Sequence, residues 1–242
     1  MNRIQLLLCL FLLSAAGAFA QTPVQMATLP ALIYNEDFAD IDNWTSGFTA
    51  GIGAAPFGGV AAGGVGTIPN PNRITQATTS FAGTGSSGGV HRDSTGQRIL
   101  LLATGTADNT NATALDLYLD YTGTNAGTLS FDWASVNNGA NTSNRKGSLR
   151  VYGTTDGINF TELTDAAVLN ITNYDPTSGS IVNVSLPASF NNSATARLRF
   201  YYYNGTGGSS GSRPYIALDN IAVTASGNPC SLPGASASFM TF

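Results

Sequence analysis

Short runs in which every second residue is apolar constrain this chain more than anything else in it. Leu115, Leu117 and Leu119 alternate with Asp116, Tyr118 and Asp120. Leu129, Phe131 and Trp133 alternate with Ser130 and Asp132, and Leu149 and Val151 with Arg150 and Tyr152. Leu198, Phe200 and Tyr202 alternate with Arg197, Arg199, Tyr201 and Tyr203. A period of two places one set on each face of a strand. Almost nothing after residue 20 has the 3.6-residue period of an amphipathic helix. One apolar face per strand requires a second sheet to cover it. The pattern therefore predicts an all-β chain of two antiparallel sheets, a sandwich or barrel.

Turn chemistry agrees. Thr155-Asp156-Gly157 is a hairpin signal, and 121–127 is a loop between two clean alternations. Further strands are expected at 31–34, 98–103, around Ile181, Val184 and Leu186, and at 215–223. Residues 51–96 are Gly-rich and poor in strand signals, with Pro69-Asn70-Pro71-Asn72 at their middle. So long an irregular stretch is uncommon inside a domain unless it packs as ordered loop.

The N-terminus reads as an export signal. Arg3 is the positive n-region, 6–13 the apolar h-region, and Ala18-Phe19-Ala20 the small-x-small cleavage pattern before Gln21. The apolar stretch is shorter than the ~20 residues a spanning helix needs, and no later stretch reaches that length. The mature chain is expected to be secreted or cell-surface, without a membrane span. Ten basic residues less Arg3 leaves nine against fourteen acidic ones. That acidic balance disfavours a phosphate backbone as partner, so nucleic acid is not expected. Beyond residue 20 the one Cys is Cys230, in an Asn-Pro-Cys-Ser-Leu-Pro linker. Its partner is open, since an odd Cys is a free thiol or pairs outside the chain. Residues 238–242 alternate again, as at the start of another strand. The expected layout is a signal peptide at 1–20, a leader at 21–30 and the sandwich at 31–225. A linker and the start of a truncated second domain follow at 226–242.

Catalytic motifs are scarce. Gly85-Ser86-Ser87-Gly88-Gly89 and Gly207-Gly208-Ser209-Ser210-Gly211 both match G-x-S-x-G, but neither is followed by a helical pattern. The single His, His91, follows Ser87 by four residues, and the single Lys, Lys146, lies in a loop. One His and one Cys after residue 20 leave no His/Cys zinc set. A glycosidase needs facing carboxylates. Asp116, Asp120 and Asp132 could supply them, yet no pair is singled out.

The order of several segments carries a resemblance. It runs Tyr34-Asn35-Glu36-Asp37-Phe38, Asn43-Trp44, Ser87-Gly88-Gly89-Val90-His91-Arg92 and Leu101-Leu102-Ala103-Thr104-Gly105. It continues through Ala114-Leu115-Asp116-Leu117, Thr128-Leu129-Ser130-Phe131-Asp132-Trp133, Leu149-Arg150-Val151-Tyr152 and Phe160-Thr161-Glu162-Leu163. It closes on 215–223, Tyr-Ile-Ala-Leu-Asp-Asn-Ile-Ala-Val. This order resembles the jelly-roll β-sandwich modules of secreted Bacteroidota proteins, related in shape to carbohydrate-binding and MAM-like domains. The tail from Pro229 resembles the entry to a fibronectin-type-III-like domain. The resemblance implies a jelly roll and a type IX export route.

Two site readings follow. Glu36, Asp37, Asp40 and Asp42 crowd within seven residues, and Asp219 lies in the last strand. Hard oxygen ligands in a cluster suit Ca²⁺. The resemblance implies a structural Ca²⁺ held by Glu36 and Asp219, with Asp37 as the alternative in the first pair. The competing reading is a set of solvated turn acids. The second site is the outward face: Tyr118, Arg150, Tyr152, Arg197, Arg199, Tyr201 and Tyr203. Aromatic rings stack on sugar faces, and Arg bonds hydroxyls. The competing reading is cross-strand pairing, or a face covered by 51–96. The expected function is a non-catalytic extracellular module, glycan-binding or adhesive. The alternatives are an accessory domain of a secreted hydrolase or a purely structural adhesin repeat.

Overall fold

The structure, a computed structural model, describes residues 21–79, 81 and 85–227. The expected signal peptide, Cys230 and the expected second-domain start lie outside them. Thirteen strands run in chain order. They are β1 (Val24–Gln25), β2 (Ile33–Glu36), β3 (Phe57–Gly59), β4 (Gly89–Asp93), β5 (Arg98–Leu102), β6 (Ala112–Asp120) and β7 (Thr124–Val136). The rest are β8 (Gly147–Thr154), β9 (Thr161–Glu162), β10 (Val168–Ile171), β11 (Ser178–Ser185), β12 (Ala196–Tyr203) and β13 (Tyr215–Gly227).

They form two sheets, as the alternation requires. Sheet I has the order β1-β6-β12-β8-β10, with β3 beside β6 and β9 beside β8. Sheet II has the order β11-β7-β13-β5-β4, with β2 beside β13. Every named pairing is antiparallel except the short parallel contact of β1 with Leu119 and Asp120. The predicted inward residues meet between the sheets. Leu115, Leu117, Leu129, Val151, Leu198 and Leu218 are fully buried in one core. Phe131 from sheet II meets Phe200 from sheet I edge-on at 5.6 Å. Each such side chain contributes about 1.5–3 kcal/mol by leaving water.

Register shifts adjust the alternation, two of them beside candidate sites. Ile181 and Val184 are three apart, which strict alternation would send to opposite faces. They pair with Phe131 and Leu129, so β11 carries one extra residue there and both point inward. β13 carries its extra residue at Asn220, with φ 48°, between Asp219 opposite Asp132 and Ala222 opposite Ser130.

The chain enters the fold earlier than residue 31. Val24 pairs with Leu119, and Met26 is fully buried in the core, so part of the 21–30 segment packs as domain. The 51–96 segment is not all loop where it is described: it carries β3, paired with β6, and β4, paired with β5. Phe57 joins Phe38 and Trp44 in an aromatic cluster that closes one end of the core. Residues 60–78 then cross the outside of sheet I as a strap. Gly64 has φ +72°, and a Cβ there would stand 1.8 Å from the Asn72 carbonyl, so the strap's fold-back requires glycine. Arg213, buried in a Gly/Ser loop, bonds the carbonyls of Gly105 and Gly205 and the Asp108 carboxylate, tying the loops at one end together.

Candidate functional site

The outward face of sheet I is a second, smaller core. Tyr152, Tyr201, Tyr203, Ala112 and Ala114 pack beneath Ile68 and Ile74 of the strap, with Val60 and Phe160 alongside. Tyr201 is 0% exposed. Its hydroxyl donates to the Arg73 carbonyl at 3.1 Å and accepts the Asn70 N–H at 3.3 Å. Burial pushes the Tyr201 phenol well above its usual range, and the Tyr152 phenol up to about 12. Arg199 grips Asp116 through Nε and Nη2, both at 2.7 Å, and donates Nη1 to the Pro71 carbonyl. Its guanidinium also lies over the Phe160 ring at 4.5 Å. Arg197 adds a 3.3 Å contact to Asp116 and lies 4.6 Å over Tyr118. Arg150 pairs with Glu162 and reaches the Tyr203 hydroxyl at 3.4 Å.

The expected ligand face is therefore corrected. Tyr152, Arg199, Tyr201 and Tyr203 are buried by the strap, where a sugar cannot stack. Tyr118, Arg150 and Arg197 lie at its margin, engaged with protein partners. The strap itself is held by Arg199, at the Pro71 carbonyl, and by the Tyr201 hydroxyl, at Asn70 and Arg73.

The expected metal acids divide between two faces. Glu36 pairs in register with Ile221, which is in the core, so its carboxylate turns inward. Its Oε1 accepts the Phe38 N–H at 2.8 Å. Burial pushes Glu36 up to about 7. The Tyr34 hydroxyl is buried nearby and has no hydrogen-bond partner among the described residues. Asp219 lies before the β13 bulge, opposite Asp132 on the outer face of sheet II. Burial and Asp132 hold its carboxyl above the usual range, and Asn220 N–H opposes them. Asp37 bonds the Ala39 N–H. Among the described residues, no three of His, Cys, Asp and Glu stand close enough to share a metal ion. The bulge separates Glu36 from Asp219, a reversal that residue spacing does not reveal.

His91 is buried, sharing a 2.9 Å hydrogen bond with the Ser87 carbonyl and meeting the Tyr215 ring edge-on at 5.6 Å. Both are contacts of a packed side chain.

The concave surface lies elsewhere, at the open edge of the sandwich. There β10 ends sheet I and β11 ends sheet II. Two hollows lie along β11, one facing β10 and the other facing residues 161–165. One, of about 550 Å³, is lined by Trp133, Leu169, Asn170, Asp175, Thr177 and Ile181 among others. The next, of about 360 Å³, is lined by Glu162, Thr164, Asp165, Val182, Asn183 and Ser185 among others. Together they form a trench along β11.

Trp133 is its aromatic wall. Its position is in register with Leu218 in β13 and Gly179 in β11. The indole rests on the core and over Gly179, where an added Cβ would come within 3.2 Å of Nε1. Leu169 and Val182 expose 48% and 64% of their surface beside it. Sequence reading placed Trp133 among the core positions and the neighbouring strand around Ile181, Val184 and Leu186, without singling out Gly179. A Trp at the end of an alternating run, opposite a glycine, was the available signal.

No protein-family model matches the chain, and no curated protein matches it. Among solved structures it is similar to a cleaved adhesin domain of Lys-gingipain from Porphyromonas gingivalis. That match has 18% identity over 81% of this chain and 99% of the other, with a TM-score of 0.41. It is also similar to a xylan-binding module, at 9% identity over 81% and 97%, TM-score 0.39. A carbohydrate-binding module studied for mannan recognition matches at 10% identity over 78% and 94%, TM-score 0.38.

Proposed function

We propose that this chain is a non-catalytic, extracellular module that binds glycan in the trench along β11, and so acts as an adhesive or targeting domain. One observation carries the reading. Trp133 presents a partly exposed indole in a concave site whose other walls mix apolar residues such as Leu169 and Val182 with the polar groups of Asn170, Asp175, Thr177, Glu162, Asp165 and Asn183. An apolar ring with a few convergent polar groups suits a sugar, which has an apolar face and a hydroxyl rim. On sheet I, Asp116 is held by two arginines and Glu162 by Arg150.

The test is a glycan array followed by titration. Trp44 is 2% exposed, so of the two tryptophans Trp133 reports on the trench. Its emission should change on adding a bound glycan, and Trp133→Ala should weaken binding about tenfold or more, about 1.4 kcal/mol. Silence across a broad array would end the glycan reading and favour a structural adhesin repeat.

A structural Ca²⁺ is proposed at Glu36. Its buried carboxylate has no ion-pair partner among the described residues, which is the charge deficit a cation would relieve. Asp37 and Asp219 do not share that inward face with it, so backbone carbonyls and water would complete the shell. The melting temperature should rise with Ca²⁺ and fall with chelator. Absence of any shift in metal-free protein would remove the proposal.

A further inference from the structure

We propose that the trench selects uncharged linear polysaccharides, gripped along their length, and turns anionic ones away; this rests on the glycan reading above. Three features of the site carry it.

The first is shape. The two hollows follow β11, whose eight residues span roughly 26 Å. Thr161, Asp165, Leu169, Asn170, Asp175 and Val182 along the walls are all exposed, so the site is open along its length. A dead-end pocket would take a chain terminus. An open trench takes internal segments, with successive rings on Trp133, Leu169 and Val182.

The second is charge. Glu162, Asp165 and Asp175 line the trench, and no Lys, Arg or His does. Arg150, the adjacent cation, is already paired with Glu162. A carboxylate or sulfate on each repeating unit would meet the like charges of Asp165 and Asp175, which have no ion-pair partner among the described residues and act over a Debye length of about 8–10 Å.

The third excludes an extended peptide. Adding a strand needs an unbroken edge ladder. Both edges are broken: β10 shifts register between Val168 and Ile171, with Asn170 at φ 63°, and β11 between Ile181 and Val184, with Asn183 at φ 56°. Bulged edges resist strand pairing. They instead leave Asn170 and Asn183 side chains free to meet hydroxyls one at a time.

The experiment uses the whole chain in affinity electrophoresis and titration. The neutral probes are β-glucan, xylan and mannan; the anionic probes are polygalacturonate and dextran sulfate, all at low ionic strength. Retention by at least one neutral polymer is expected, with affinity rising from its disaccharide to longer oligomers. Anionic polymers should bind about tenfold more weakly or worse, with the gap closing as salt is added. The exposed-site double change Leu169→Lys with Asp175→Asn should raise anionic binding about tenfold. Because it leaves the core alone, it keeps the test valid should Trp133→Ala fail to fold. If an anionic polymer binds as tightly as any neutral one, and Trp133→Ala abolishes it, selection is wrong while the glycan reading stands. If no polymer binds, or Trp133→Ala folds and binds unchanged, the glycan reading falls and takes the selection with it.

Discussion

The outer face of sheet I and the trench along β11 use similar residues to opposite ends. Each sets aromatic rings beside carboxylates. On sheet I most of the set is satisfied: Asp116 has Arg199 and Arg197, Tyr201 has Asn70 and Arg73, and the strap covers the face, although Arg197 Nε is buried without a partner among the described residues. In the trench it is incomplete. Asp165 and Asp175 are exposed, and Leu169 and Val182 meet solvent. A face whose groups satisfy one another holds the fold together, whereas a face with unmet groups has something left to offer a ligand.

The largest expected effect comes from breaking the closed side. Arg199→Ala leaves Asp116, 1% exposed, with one long contact to Arg197. A loss of about 3–5 kcal/mol is expected, because removing one partner strands a buried charge. At roughly 2–4 °C per kcal/mol the melting temperature should drop about 10 °C, with the trench's ligand affinity unchanged once folded. A drop of only a degree or two would mean that Asp116 is not compensated as described.

The next effect sharpens the comparison by contrasting Asp116 with a buried acid that has no cation. Glu36 has a folded value of about 7 against an ordinary 4.5. Below 4.5 it is protonated folded or unfolded, and its contribution to stability is fully present. Between 4.5 and 7 the unfolded chain releases the proton first, so stability falls as pH rises. Above 7 the folded state bears the whole desolvation penalty. In metal-free protein Glu36→Gln should match the wild type at pH 4 and exceed it at pH 8 by about 2 kcal/mol, read from melting curves. Saturating Ca²⁺ should reverse the order at pH 8. A wild-type curve that stays flat from pH 4 to 8 would contradict the buried, unpaired state of Glu36.

The smallest is Tyr201→Phe. It keeps the packing under the strap and removes only the hydroxyl between the Asn70 N–H and the Arg73 carbonyl. About 1 kcal/mol is expected. Hydrogen exchange should quicken at Asn70 and leave the β11 trench unchanged. Equal quickening in both places would show the two regions to be one cooperative unit.

Much of the fold was legible because period two is a local property. Leu115, Phe131, Val151, Leu198 and Phe200 could be assigned inward from their neighbours alone, and the structure buries them all. The site was less legible. Asp116 and Arg199 read as outward residues, with a cover by 51–96 as one of the readings, and residues 60–78 supply that cover. Arg213 belongs to no motif in the sequence and is buried. Glu36 and Asp219 read as converging ligands until one inserted residue, Asn220, set them on opposite faces.

The sequence by itself determined that this chain is all-β, layered in two sheets, and which side of each strand is apolar. Only the tertiary structure decided what lies over the other side. The cover on Tyr201 comes from Asn70 and Arg73, 131 and 128 residues away. The opening beside Trp133 exists because β10 and β11, the last strands of different sheets, stand apart. Alternation fixes the direction of a side chain from its nearest neighbours. Whether that direction ends in water, in protein or in a groove depends on distant segments brought together by folding.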